Sequence, residues 1–394
     1  MKAIKDISSF CKVYPLSGFP QGGKATRAPF LINCTIYFYM IRFVVVFLLF
    51  LILFGYCFCQ EPEAGQRTFK NPLFNSGADP WIIYKDGFYY YTNTSGTRLF
   101  IRKARNLDEL KSSESVTVWT PPEGISYSKE IWAPELHFIK GSWYMYFAAD
   151  DGRNRNHRMY VVENPSPDPT QGKWEFRGKV SDLSDKWAID GSVFEYKRQL
   201  FFIWSGWEGD EDGQQDIYIA RMSNPWTIEG ERVRISAPEY AWETVGDIKT
   251  EEGSRHVNVN EGPVILKNKE KMFLVYSASG CWTDSYCLGM LEFTGKDPLD
   301  KDAWKKYPEP VFKGSPEARA YAPGHNSFFM SPDGRENWIL YHANPSPGQG
   351  CGRFRSPRAQ KFVFRKDGSP DFGRPVNLDT PISVPSGSYR KIED

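Results

Sequence analysis

Asp79-Pro-Trp-Ile-Ile-Tyr-Lys-Asp-Gly-Phe-Tyr-Tyr-Tyr91 decides how this chain folds. It reads as a strand, a polar turn and a second, aromatic strand. The same plan returns four times, as Ala133-Pro-Glu-Leu-His-Phe-Ile-Lys-Gly-Ser-Trp-Tyr-Met-Tyr-Phe147, Asp190-Gly-Ser-Val-Phe-Glu-Tyr-Lys-Arg-Gln-Leu-Phe-Phe-Ile-Trp204, Glu261-Gly-Pro-Val-Ile-Leu-Lys-Asn-Lys-Glu-Lys-Met-Phe-Leu-Val-Tyr276 and His325-Asn-Ser-Phe-Phe-Met-Ser-Pro-Asp-Gly-Arg-Glu-Asn-Trp-Ile-Leu-Tyr341. The spacing is roughly 55 to 70 residues, slightly longer than common propeller repeats. No segment beyond residue 60 carries a 3.6-residue apolar period. Five such units use up residues 60–394, so the expected fold class is all-β, a single five-bladed β-propeller. A β-sandwich would not explain five similar hairpins.

Composition agrees with that reading and excludes others. The 394 residues hold 49 Lys and Arg against 48 Asp and Glu, a net charge of +1, so no long-range field draws the chain to nucleic acid. Aromatic residues make up 16% of the chain, more than a helical bundle needs; such rings suit pleated strands and the flat apolar faces of sugars.

Residues 43–58 form the only long apolar run, preceded by Arg42 and followed by Cys59, Gln60 and Glu61. A basic start, an apolar stretch and small residues before a polar end make residues 40–59 a secretory signal peptide, with Met40 as a natural start. The alternative is a signal anchor giving a type II membrane protein, since the run approaches the length needed to span. Residues 1–39 are then an upstream extension or a start assigned too early. Either way residues 60–394 lie outside the cytosol, and the extracellular reading is preferred.

Three cysteines remain beyond the signal, Cys281, Cys287 and Cys351. Cys281 and Cys287 flank a small loop that suits a bridge, which would leave Cys351 buried or free. Their spacing has no zinc-site character. Asn93-Thr94-Ser95 is a glycosylation sequon.

In a propeller the innermost strand of each blade lines a central channel, so equivalent positions form a ring at one mouth. Here that ring reads Asp79, Ala133, Asp190, Glu261 and His325. Three carboxylates and an imidazole facing one pocket raise the pKa of at least one carboxyl group, a sign of acid–base chemistry.

The motifs at these positions strongly resemble glycoside hydrolase family 43: Gly77-Ala78-Asp79-Pro80, Trp132-Ala133-Pro134-Glu135, Ala188-Ile189-Asp190-Gly191-Ser192, Asn260-Glu261-Gly262-Pro263 and Pro323-Gly324-His325-Asn326-Ser327. They stand in the family's order, and the tail Gly352-Arg-Phe-Arg-Ser-Pro-Arg-Ala-Gln360 is similar to its last blade. Ser128-Lys-Glu-Ile-Trp-Ala-Pro-Glu135 and Ser279-Gly-Cys-Trp-Thr-Asp-Ser-Tyr286 most resemble the exo-acting 1,5-α-L-arabinofuranosidases.

The resemblance implies an inverting hydrolase with Asp79 as general base, Glu261 as general acid and Asp190 holding the acid in place. Inversion implies Asp79 and Glu261 carboxyls roughly 6.5 to 9.5 Å apart. Trp132, His325 and Arg358 are the expected substrate contacts. No cofactor is required, although the family often carries calcium in the channel, and His325 could reach such an ion directly or through water. The expected substrate is an arabinan or arabino-oligosaccharide of plant or algal walls, taken by a monomer. Rival readings are a β-D-xylosidase or other pentosidase or galactosidase of the same family, and a sugar-binding propeller without catalysis. The motifs of fructoside hydrolases and sialidases are missing. The segments 206–215 and 239–243 could reach the pocket or merely connect blades.

Overall fold

The computed structural model describes residues 67–250 and 253–389. The expected signal peptide or anchor, with the extension before it, lies outside the described residues. Among the described residues no helix is long and apolar enough to cross a membrane.

Five antiparallel four-stranded units follow one another along the chain, as the repeat predicts. The first is built from Trp81–Lys85, Phe88–Thr92, Leu99–Ala104 and Ser115–Trp119, and the second begins with Lys129–Ile139. The third begins with Ala188–Tyr196, the fourth with Asn258–Asn268 and the fifth with Tyr321–Met330. Short pairing of Gln214 with Asn258 and Gln215 with Val259 joins the third blade to the fourth. At the two ends of the propeller, Thr68 pairs with Ser383 and Phe69 with Ile382, which ties its start to its finish. Strand residues alternate between two faces, and each face packs on a neighbouring blade. Tyr89, Phe329 and Trp338 fill the seam between the first and fifth blades, while Tyr146, Phe202 and Trp204 fill that between the second and third. Most of the aromatic excess is spent on these seams.

Each innermost strand carries the same irregularity. Trp132 pairs with Ala148 and Glu135 with Tyr146, so three steps on one strand face two on the other. The same slip separates Ile189 from Ser192, Glu261 from Val264 and Gly324 from Ser327. In the first blade the Thr94 N–H donates to the Ala78 carbonyl before Trp81 pairs with Thr92. The first bulged residue is left-handed in every blade: Asp79 (φ 57°), Ala133 (43°), Asp190 (55°), Gly262 (57°) and His325 (48°). That conformation costs a non-glycine residue about 1–2 kcal/mol, and bulges of this kind re-aim a side chain into a site.

This register corrects the ring read from sequence. The fourth-blade equivalent of Asp79 and Asp190 is Gly262, and Glu261 stands one position earlier, level with Trp132 and Ile189. Glycine at 262 relieves a tight approach, since a Cβ there would meet His325 Nδ1 at 3.3 Å in a left-handed backbone. The acid therefore enters the site from the tier just outside the ring.

Candidate active site

The bulges place their side chains at the floor of a cleft of about 470 Å³, lined by Asp79, Trp132, Asp190, Glu261, His325 and Arg355 among others. The backbone N–H groups of the bulged residues stitch neighbouring blades together. Asp79 donates to His342 Nδ1 (3.1 Å), Ala133 to Thr94 Oγ1 (2.8 Å), Gly262 to Asp190 Oδ2 (3.0 Å) and His325 to Ser277 Oγ (2.7 Å). Each bond runs to the preceding blade, so four of the five seams are tied at the level of the site residues.

Asp79 is buried and fully engaged. Its Oδ2 accepts from the Thr94 hydroxyl at 2.6 Å, and its Oδ1 accepts from Arg355 Nη1 at 3.0 Å. The Thr94 oxygen already accepts the Ala133 N–H, so its single proton is committed to Asp79. Burial alone would raise the pKa of this carboxyl, but the Arg355 guanidinium and the Thr94 hydroxyl hold it well below the usual carboxylate range. Burial pushes the His325 and His342 pKa values down, so both rings are neutral at pH 7 and Arg355 is the charge that keeps Asp79 ionised.

Glu261 and Asp190 are driven the other way. Glu261 is pushed up to about 7, first by burial and then by the Asp79 charge, against the opposing hydrogen bond from Tyr286 and the Arg355 charge. The Tyr286 hydroxyl donates to Glu261 Oε1 at 2.8 Å. Tyr286 lies flat on His342, at a centroid distance of 5.8 Å and an angle of 3°, in space that a side chain at Gly324 would occupy. Asp190 is held well above its ordinary value by burial and by the charges of Glu261 and Asp79. The site thus holds one carboxylate locked in its charged form beside two that retain protons, the separation acid–base catalysis needs.

His325 Nδ1 lies 3.4 Å from Asp79 Oδ1 and 3.8 Å from Asp190 Oδ2, at the centre of the floor. Trp132 stands in the wall, its ring stacked on His157 at 4.0 Å and its N–H donated to Glu130 Oε2 at 3.0 Å. Trp187, stacked on Trp207 at 4.7 Å, and Trp282 complete the aromatic lining. Such faces suit the C–H side of a sugar.

Two sequence expectations are corrected here. Arg358 does not reach the cleft: it is fully buried on the strand Ser356–Phe364, with only a long 3.5 Å contact to the Ala343 carbonyl. Arg355, which precedes that strand, is the arginine in the site. The expected Cys281–Cys287 bridge is also replaced. Cys281 pairs with Cys351, their Cα atoms 5.2 Å apart, and Cys287 is a buried free thiol. Cys287 opens the strand Cys287–Phe293 and faces the blade interior, whereas Cys281 and Cys351 both line the cleft. Of the two unplaced segments, 206–215 supplies Asp212 and Gln215 to the cleft. Glu243, from the other, is instead buried against Lys306 Nζ at 2.9 Å.

Sequence reasoning passed over Thr94, Tyr286, Trp187 and Arg355. Thr94 is the middle residue of the sequon, and Tyr286 ends the segment that carries the arabinofuranosidase resemblance. Arg355 is three residues from Arg358, an odd offset that places the two on opposite sides of an extended chain.

These features define a hydrolytic site on a five-bladed propeller, and residues 69–370 match the pattern of Glycosyl hydrolases family 43. The chain belongs to that family. It is 37% identical over 339 residues to the extracellular exo-α-(1→5)-L-arabinofuranosidase of Streptomyces avermitilis, covering 83% of this chain and 68% of that protein. Its identity to the protein of the same name from Streptomyces chartreusis is 38% over 281 residues, covering 70% and 82%. The solved α-L-arabinofuranosidase from Lactobacillus brevis superposes with a TM-score of 0.72 at 35% identity, covering 79% of this chain and 98% of that one.

Proposed function

We infer that this chain is a secreted, inverting exo-α-L-arabinofuranosidase acting on 1,5-linked arabinan or arabino-oligosaccharides of plant or algal walls. The observation that carries the chemistry is the split of the carboxyl groups, with Asp79 locked ionised by Arg355 and Glu261 pushed up to about 7. The relatives above support the sugar and the mode of attack. The Cys281–Cys351 bridge supports an oxidising compartment.

Glu261 donates its proton to the glycosidic oxygen as the bond from that oxygen to the anomeric carbon breaks. A water on the opposite face forms the new bond and passes its proton to Asp79. Asp190 fixes the backbone beside Glu261 by accepting the Gly262 N–H, and so holds the acid in position. The neutral His325 ring and Trp132 hold the sugar against the floor. Asn326, next to His325 in the chain, carries a buried amide without a protein partner; its oxygen is of the kind a calcium ion in the channel would take as a ligand, and such an ion would supply positive charge to the acidic site.

The test is release of free arabinose from 4-nitrophenyl α-L-arabinofuranoside and from linear 1,5-α-arabinan, with Glu261→Gln in parallel. Monosaccharide as sole product, with a rate loss of about 10³-fold or more on arabinan in the variant, supports the reading. Turnover of xylosides or galactosides alone would reassign the sugar. Binding without turnover would make it a lectin-like propeller.

A further inference from the structure

The wall of the cleft contains a covalent link that the reaction itself does not use. Cys281 sits in the loop between the second and third strands of the fourth blade, Lys271–Ala278 and Cys287–Phe293, and Cys351 lies in the loop 345–355 of the fifth. That loop ends in Arg355, whose guanidinium reaches Asp79 Oδ1.

Besides the disulfide, a few hydrogen bonds fix this loop to the rest of the propeller. Its internal bonds include Asn344 Nδ2 to the Gly350 carbonyl (2.9 Å), the Ser346 N–H to Gln349 Oε1 (3.1 Å) and the Arg355 N–H to the Gly352 carbonyl (3.3 Å). Across the seam, the Gly348 N–H donates to both carboxylate oxygens of Asp284 at 2.9 Å, an exposed contact beside the disulfide. The Arg355 carbonyl accepts from the Gly77 N–H at 2.9 Å. The fourth-blade anchor is firmer: Gly280 N–H donates to the Val245 carbonyl at 2.8 Å, and the Trp282 indole to the Asp247 carbonyl at 3.0 Å.

We propose that the Cys281–Cys351 disulfide is a positioning element for catalysis, tethering the 345–355 loop to the fourth blade so that the Arg355 guanidinium stays on Asp79. This rests on the hydrolase reading above and deepens it by making the active form of the enzyme the oxidised one. The two cysteines touch no reacting atom. They act through Arg355, and Arg355 acts by keeping the base in its charged form. Reduction adds two electrons and two protons from a dithiol, which leaves as its own cyclic disulfide, and frees the loop.

The experiment compares pH–rate profiles of the full-length protein, oxidised, dithiothreitol-reduced, and as Cys351→Ser. The positioning role predicts that reduction and Cys351→Ser both move the acidic limb of kcat/KM to higher pH. Each unit of movement lowers the rate at a fixed acid pH about tenfold while the rate above neutrality changes little. Dithiothreitol adds nothing further in Cys351→Ser, which separates this bridge from the other cysteines. A lower melting temperature with an unmoved acidic limb would make the disulfide a structural staple and overturn the proposal. If Cys351→Ser does not fold, reduction of the already folded protein gives the same readout. Failure of the hydrolase reading would appear differently, as absent turnover in the oxidised protein.

Discussion

Arg355 Nη1 lies 3.0 Å from Asp79 Oδ1, and that contact crosses the seam where the propeller's last blade meets its first. The residue that sets the charge of the base is therefore supplied from nearly 280 residues away. Closure of the ring and ionisation of Asp79 are the same structural event. Arg355→Met should raise the pKa of Asp79 from far below the carboxylate range. The expected result is a kcat/KM that falls at pH 5 at least about tenfold more than it falls at pH 7.5, read from a pH–rate profile.

Tyr286 offers a test of opposite sign. Its hydroxyl stabilises the charged form of Glu261, so removing it in Tyr286→Phe should raise the Glu261 pKa above about 7. An acid must be protonated to act, so the basic limb of kcat moves to higher pH. A basic limb moving to lower pH would show that Tyr286 supports the proton instead.

Glu261 also links pH to stability. Its folded pKa of about 7 stands above the ordinary value near 4.3, so between those pH values the folded state binds more protons than the unfolded. Stability contributed by the protonated group is present below that window and is lost as pH rises through it. Glu261→Gln removes the loss, and its melting temperature at pH 8 should exceed that of the wild type by a few degrees while matching it at pH 4. Calorimetry at the two pH values checks this.

Much of this was legible in the sequence. Alternating aromatic strands around polar turns carry the blades, because a blade must bury both faces against its neighbours and only an apolar period of two does that. Asp79, Asp190 and His325 were legible for a related reason: the bulge recurs at the same place in each repeat. Glu261 was found one position out of register, since a bulge is a backbone feature and Gly262-Pro263 hides it. Arg355, Tyr286 and the Cys281–Cys351 pair were not legible, because each reaches its partner across a seam between blades and no local pattern records which loops meet there.

Arg358 shows the same limit from the other side. Its neighbourhood in sequence suggests a sugar contact, yet it is wholly buried, and two of its donors lack protein partners. Arg358→Met should leave KM within about twofold of the wild type, with a melting temperature equal or higher, because a buried unpaired charge is replaced by an apolar chain. Saturation kinetics and a melting curve distinguish this from a substrate contact, which would raise KM steeply.

The central claim is that Glu261 and Asp79 act on opposite faces of an arabinofuranosyl ring with water between. The most direct measurement is proton NMR of the first product formed from a 1,5-α-arabino-oligosaccharide, recorded before the sugar mutarotates. The account predicts β-L-arabinofuranose as the first signal, released as a monosaccharide. An α-anomer appearing first would mean retention through a covalent intermediate, and would contradict the assignment of Asp79 as a base.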